Sequence, residues 1–154
     1  MSDPRATVPG MDNGAVPFSV RIAVRNYELD TLGHVNQAVY HSYAEHGRVS
    51  MFRAAGCAPE AMRALGFAPA LLASEARYLR ELRDGDEIDV TVTIEFGAGK
   101  TFVMRNELTK LDGTLAATVS STMGLLDLTA RKLLAEPRER IRALATKPDV
   151  MFTD

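Results

Sequence analysis

Asp30-Thr31-Leu32-Gly33-His34-Val35-Asn36 separates a strand-like stretch from a helix-like one, and the fold reads outward from it. Before it, Phe18, Val20, Ile22 and Val24 alternate with Ser19, Arg21, Ala23 and Arg25, the period of two that turns one face of a strand to a core. After it, Tyr40, Tyr43, Ala44, Gly47, Met51 and Ala55 recur at three- and four-residue spacing, which predicts one amphipathic helix over residues 37–55, stopped by Gly56. The junction places a carboxylate, a glycine and polar residues just ahead of a helix start. The free N–H groups and positive dipole end found there suit an anion or a developing oxyanion.

Gly47 lies inside the apolar stripe, where it costs about 1 kcal/mol of helix propensity relative to Ala. Close approach of the helix to a sheet is the compensation expected. Downstream, Pro59 opens a short helix ended by Gly66, and residues 69–80 read as a strand with weak alternation. Ile88, Val90, Val92, Ile94 and Phe96 set against Glu87, Asp89, Thr91, Thr93 and Glu95 give a far cleaner half-exposed strand. Gly97 and Gly99, then Asp112-Gly113, supply hairpin turns for strands over 101–111 and 114–126. Residues 132–135 read as one more short strand, and Pro137 as the first residue of a last helix reaching about residue 145.

Strand, long helix, then a run of antiparallel strands is an α+β pattern, and layer logic curls one sheet of about five strands around one long central helix. The expected division is an N-terminal arm over 1–17, a single domain over 18–146 and a C-terminal tail over 147–154. Three prolines and two glycines without hydrophobic period mark the arm.

The run RNYELDTLGHVNQAVYHSYAEHGR, residues 25–48, resembles the signature of hotdog-fold acyl-CoA thioesterases of the 4-hydroxybenzoyl-CoA thioesterase type, in which an Asp precedes a Gly by three residues and a long helix follows. The likeness extends more loosely through RYLRELRDGDEIDVTV (77–92) and LTKLDGTLAATVSSTMGLLD (108–127). It implies hydrolysis of an acyl thioester to free acid and coenzyme A, without a cofactor. It also implies sites built at subunit interfaces, and so a homodimer or homotetramer.

Bulk properties agree with that class. A chain of 154 residues, 46% hydrophobic and 25% charged, is the size and composition of one globular domain. A net charge of −2 with 18 scattered basic residues gives no basic stripe, so nucleic acid is not an expected partner. No apolar run has the length of a membrane span and no signal-peptide layout is present, so a cytoplasmic protein off the membrane is expected. Cys57 is the lone cysteine; it fits a reducing compartment and reads as structural.

On residue type and place alone, Asp30 is a turn or N-cap residue. The resemblance reverses that order, because Asp30 stands three residues before Gly33 at the position of the family's catalytic Asp. It would serve as general base on water or as nucleophile on the thioester carbonyl. Gly33 and the backbone N–H groups of Asn36 and Gln37 are the natural oxyanion partners, and the family's donor, seven residues after the Asp, corresponds to Gln37. His34 is a second candidate, since a hotdog dehydratase acting on an enoyl thioester would use a histidine there. A non-catalytic acyl-CoA-binding module is the remaining alternative.

Tyr40 and Tyr43 read as core and pocket wall, and Glu45 with Arg48 as an i, i+3 pair in which Glu45 could also line the pocket. His41 and His46 are five apart on the helix and share no face, so no metal site is expected. Arg77, Arg80, Arg83, Lys100 and Lys110 are available for coenzyme A phosphates.

Overall fold

The computed structural model describes residues 16–153. The expected arm over residues 1–17 therefore lies, up to residue 15, outside the described residues. In chain order the elements are β1 (Phe18–Ala23), α1 (Gln37–Ala54), α2 (Pro59–Ala64), β2 (Phe67–Tyr78), β3 (Glu87–Phe96), β4 (Thr101–Lys110), β5 (Leu115–Asp127) and α3 (Pro137–Leu144). Short 3-10 turns at Asn26–Glu28 and Pro148–Val150 complete the set.

The strands form one antiparallel five-stranded sheet in the order β1-β3-β4-β5-β2, with α1 laid across it. This is the hotdog arrangement. All six residues of the predicted stripe, Tyr40, Tyr43, Ala44, Gly47, Met51 and Ala55, are buried. They meet the inward positions of the sheet, Val90 and Val92 on β3, Phe102, Met104 and Leu108 on β4, and Val119 on β5. Gly47 explains itself here. A Cβ built on it would stand 3.0 Å from a Val90 methyl, 3.1 Å from a Val92 methyl and 3.2 Å from Asn106 Nδ2, so the helix reaches the sheet where a side chain is missing.

The weak alternation over residues 69–80 has a physical cause. β2 is an edge strand, its register shifts between Leu71 and Ala73, and Leu71, Leu72 and Tyr78 are about half exposed. From Leu71 to Tyr78 most residues are exposed on both faces of the strand, so no alternating core face is required of them.

One expectation is corrected. Residues 132–135 form no strand; a single bridge, Leu126 to Leu133, is all that pairs among the described residues, because Arg131 turns the chain with φ +57° just before it. The C-terminal tail packs back on the fold: Lys147 N–H donates to Ala55 O at 2.9 Å, and Met151 and Phe152 are buried. Phe152 stacks on Phe96 at 5.8 Å, and Cys57 Sγ lies 3.7 Å from Met151 Sδ. The tail thus closes the end of the core that α1 leaves uncovered beyond Ala54.

Candidate active site

The loop between β1 and α1 is pinned by Asp30. Its Oδ1 accepts from Leu32 N–H at 2.8 Å and His34 N–H at 3.2 Å, while its own N–H donates to His34 O at 2.7 Å and its carbonyl accepts from Gly33 N–H at 3.1 Å. Gly33 takes φ +76°, a left-handed conformation that a side chain would strain, and so lets the loop fold back on Asp30. Oδ1 holds the turn; Oδ2 accepts no hydrogen bond from the described residues.

Asn36 caps α1, its side chain accepting from Ala38 N–H at 2.9 Å and its carbonyl from Val39 N–H at 2.9 Å. Ala38 and Val39 are thereby satisfied, and Gln37 N–H is the first-turn amide with no acceptor among the described residues. The α1 start is held in place by its neighbours: Asn36 N–H donates to Glu28 O at 2.8 Å, Val35 N–H to Leu82 O at 2.8 Å, and Tyr78 Oη–H to Gln37 O at 3.0 Å.

Asp30, His34, Gln37 and Tyr40 come together on one open cleft of about 340 Å³, completed by Tyr78, Leu79, Arg80 and Glu81 from the end of β2. Tyr40 and Tyr78 meet edge to face at 4.9 Å, and burial pushes the Tyr40 hydroxyl up from its ordinary pKa. Glu81 is held below the usual carboxylate range by its own backbone N–H and by Arg83, and His34 adds to this. Sequence reasoning missed Tyr78 and Glu81, because they lie more than 40 positions from Asp30 at the end of the least regular strand.

Other candidates fall elsewhere. Gly33 and Asn36 act through backbone and cap geometry. Glu45 does not join the Asp30 cleft; it lines a second one farther along α1, with Arg48, Arg63 and Leu71. The expected Glu45–Arg48 ion pair is absent among the described residues, and buried Arg48 instead donates to Ser121 Oγ at 3.0 Å. Tyr43 is not a wall of the cleft but a brace beneath it, giving its hydroxyl hydrogen to Glu28 at 2.8 Å. Burial, and then that carboxylate, raises its pKa. Of the cations, Arg77 pairs with Glu75, Arg83 with Glu81 and Lys110 with Asp86, whereas Arg80, which lines the cleft, donates to Leu79 O at 2.7 Å and has no carboxylate partner among the described residues. Among the described residues no group of His, Cys, Asp and Glu could hold a metal ion.

A profile of the thioesterase-like superfamily matches residues 24–150. The chain belongs to the thioesterase-like superfamily. Among proteins similar to this thioesterase-like chain are two acyl-acyl carrier protein thioesterases of Arabidopsis thaliana chloroplasts, ATL3 and ATL2. ATL3 is 37% identical over 75 residues, which is 49% of this chain and 40% of that protein. ATL2 is 36% identical over 66 residues, 43% of this chain and 35% of that protein. Each match thus spans less than half of the curated relative. The structure of the probable thioesterase YbaW from Escherichia coli is 26% identical, with a TM-score of 0.75 over 84% of this chain and 99% of that one. The fold alone is shared with SAV2348 from Staphylococcus aureus, solved in complex with CoA, at 24% identity and a TM-score of 0.74 over 88% and 89% of the two chains. For a thioesterase-like chain, acyl-thioester hydrolysis is the chemistry against which the Asp30 cleft is read.

Proposed function

We propose that the chain hydrolyses an acyl-CoA thioester to the free acid and coenzyme A, with Asp30 as the reacting carboxylate. The carrying observation is the split role of that side chain: one oxygen is tied into the loop, the other accepts no hydrogen bond from the described residues, and Asp30 lines one cleft with Gln37. Asp30 Oδ2 either takes the proton of an attacking water or attacks the carbonyl carbon itself. Negative charge then gathers on the carbonyl oxygen, where the fixed Gln37 N–H donates. One such donor is typically worth about 10²–10³ in rate. Collapse breaks the C–S bond and the thiolate leaves, to be protonated by solvent. If Oδ2 was the nucleophile, water then cleaves the acyl-aspartyl anhydride.

Family membership favours hydrolysis over the hydratase and binding-only alternatives. The coenzyme A part of the reading is supported by Arg80 on the cleft and by the CoA-bound structure that shares the fold. Thiol release on a panel of acyl-CoA esters tests it. Turnover of one or more esters is expected, whereas binding of acyl-CoA without thiol release over hours would overturn the proposal.

The same reading includes a second copy. β2 presents an unpaired edge with Leu71 and Leu72 half exposed beside it, a surface that natural sheets cover. Light scattering is expected to give a dimer or a tetramer, and a fully active species of about the 16.8 kDa chain mass would refute this. A lone buried Cys57 and no helix long and apolar enough to cross a membrane among the described residues support placement in the cytoplasm. Recovery of the chain in a membrane or secreted fraction would contradict that.

A further inference from the structure

Arg48 is 6% exposed and sits midway along α1, on the side that faces the sheet. Its one hydrogen bond among the described residues goes to a neutral hydroxyl, Ser121 Oγ at 3.0 Å, and burial lowers its pKa, which the charge of Glu45 partly offsets. A guanidinium has five N–H donors, stays charged at neutral pH, and is costly to bury without an anion. Asn106 Oδ1 is the one sealed, unpaired side-chain polar atom among the described residues. The remaining Arg48 nitrogens are therefore not sealed, and Arg48 lines a cleft of about 420 Å³.

The walls of that cleft are mostly apolar, with Val49 and Phe52 from α1, Pro69 and Leu71 from β2, and Met123 from β5. Its charged groups are buried Arg48, exposed Arg63 and exposed Glu45, a surplus of one positive charge. Asp30 and Gln37 belong to the other cleft, and Gln37, 11 residues before Arg48, lies roughly 16.5 Å from it along the α1 axis at 1.5 Å per residue.

We propose that this second cleft is a binding site for a carboxylic acid with an apolar body, its carboxylate on Arg48 and its chain along Val49, Phe52, Pro69 and Met123. A planar guanidinium matches a carboxylate through paired N–H···O bonds, and the apolar walls match a chain or ring behind it. Acids of this class are also what the proposed hydrolysis would release, but the site does not depend on that reaction.

The test is calorimetric binding of octanoate and octan-1-ol, the same chain with and without the carboxylate, to the full chain. Octanoate is expected to bind roughly 10- to 100-fold more tightly than the alcohol, the range for a hydrogen bond to a charged group. Arg48→Gln should remove that preference. Because Arg48 is buried, its variant is first checked by melting. Arg63→Gln, at an exposed position, gives a second reading and should weaken octanoate severalfold without weakening octanol. Asp30→Asn should leave octanoate binding unchanged, which separates this site from the catalytic proposal. Equal affinity for acid and alcohol, or full octanoate binding in a folded Arg48→Gln protein, would overturn the inference. So would a failure of octanoate to bind while Arg48→Gln shifts the assembly state, which would assign the missing anion to a second copy.

Discussion

Gly47→Ala is expected to destabilise the protein even though alanine is the better helix former. In an open helix the change would stabilise by about 1 kcal/mol. Here the added methyl would lie 3.0 Å from Val90 Cγ1, 3.1 Å from Val92 Cγ2 and 3.2 Å from Asn106 Nδ2, each inside ordinary contact distance. None of the three can easily give way. Val90 and Val92 are stiff β-branched residues, at most 1% exposed, on a strand paired on both sides, and Asn106 is held by its bond to Thr91 O at 3.1 Å. Overpacking of a dense core costs about 1–3 kcal/mol, so after the propensity gain of about 1 kcal/mol a net loss of up to about 2 kcal/mol is expected. For a domain of this size, at roughly 2–4 °C per kcal/mol, that is a fall in Tm of up to about 8 °C. Thermal and urea unfolding measure it, with exposed Ser42→Ala on the same helix as the control, expected to gain a few tenths of a kcal/mol. A Gly47→Ala protein more stable than the parent would refute the account of how α1 docks.

Tyr43→Phe removes the hydroxyl that donates to Glu28, whose backbone carbonyl in turn holds Asn36 at the start of α1. A loss of about 1–3 kcal/mol in urea unfolding is expected, since the Glu28 carboxylate loses a donor where it is half buried. Cys57 is fully buried and its thiol is pushed up to about 11 by burial, from an ordinary value of 9.0. It should resist a thiol reagent at pH 8 in the folded protein and react at once in denaturant; rapid labelling of the native chain would count against its packing. The sign of the pH effect follows: the fold favours the neutral thiol, so this contribution is complete below about 9 and is lost as pH rises towards about 11. Melting temperatures across that interval check the direction.

What could be read from the sequence was what local periodicity determines. The α1 stripe and the alternation over residues 87–96 gave those elements to within a residue, because each has one face that must be buried. β2 resisted the same reading because its register shifts and most of its residues from Leu71 on are exposed on both faces, so no single face of it must be buried. Spacing alone made Arg48 an i, i+3 partner of Glu45, whereas its place on α1 turns it to Ser121 on β5. The burial of Met151 and Phe152 depends on contacts with Phe96 and Cys57, which no local pattern in residues 147–154 announces. At the site, Asp30 and the helix start were visible as neighbours in the chain. Tyr78, Arg80 and Glu81 arrive through the fold, by the antiparallel return of β2 along α1.

The central claim rests on one oxygen of Asp30, and Asp30→Asn isolates it. The amide keeps an Oδ1 able to accept from Leu32 and His34, so the loop and the Tm should hold, while the open carboxylate oxygen is replaced by an NH₂ that is neither base nor nucleophile. With an acyl-CoA ester that the parent protein turns over, kcat is expected to fall by roughly 10²–10⁴ with little change in binding. A variant that melts with the parent and keeps kcat within a small factor of it would contradict the account and return Asp30 to the role of a turn residue.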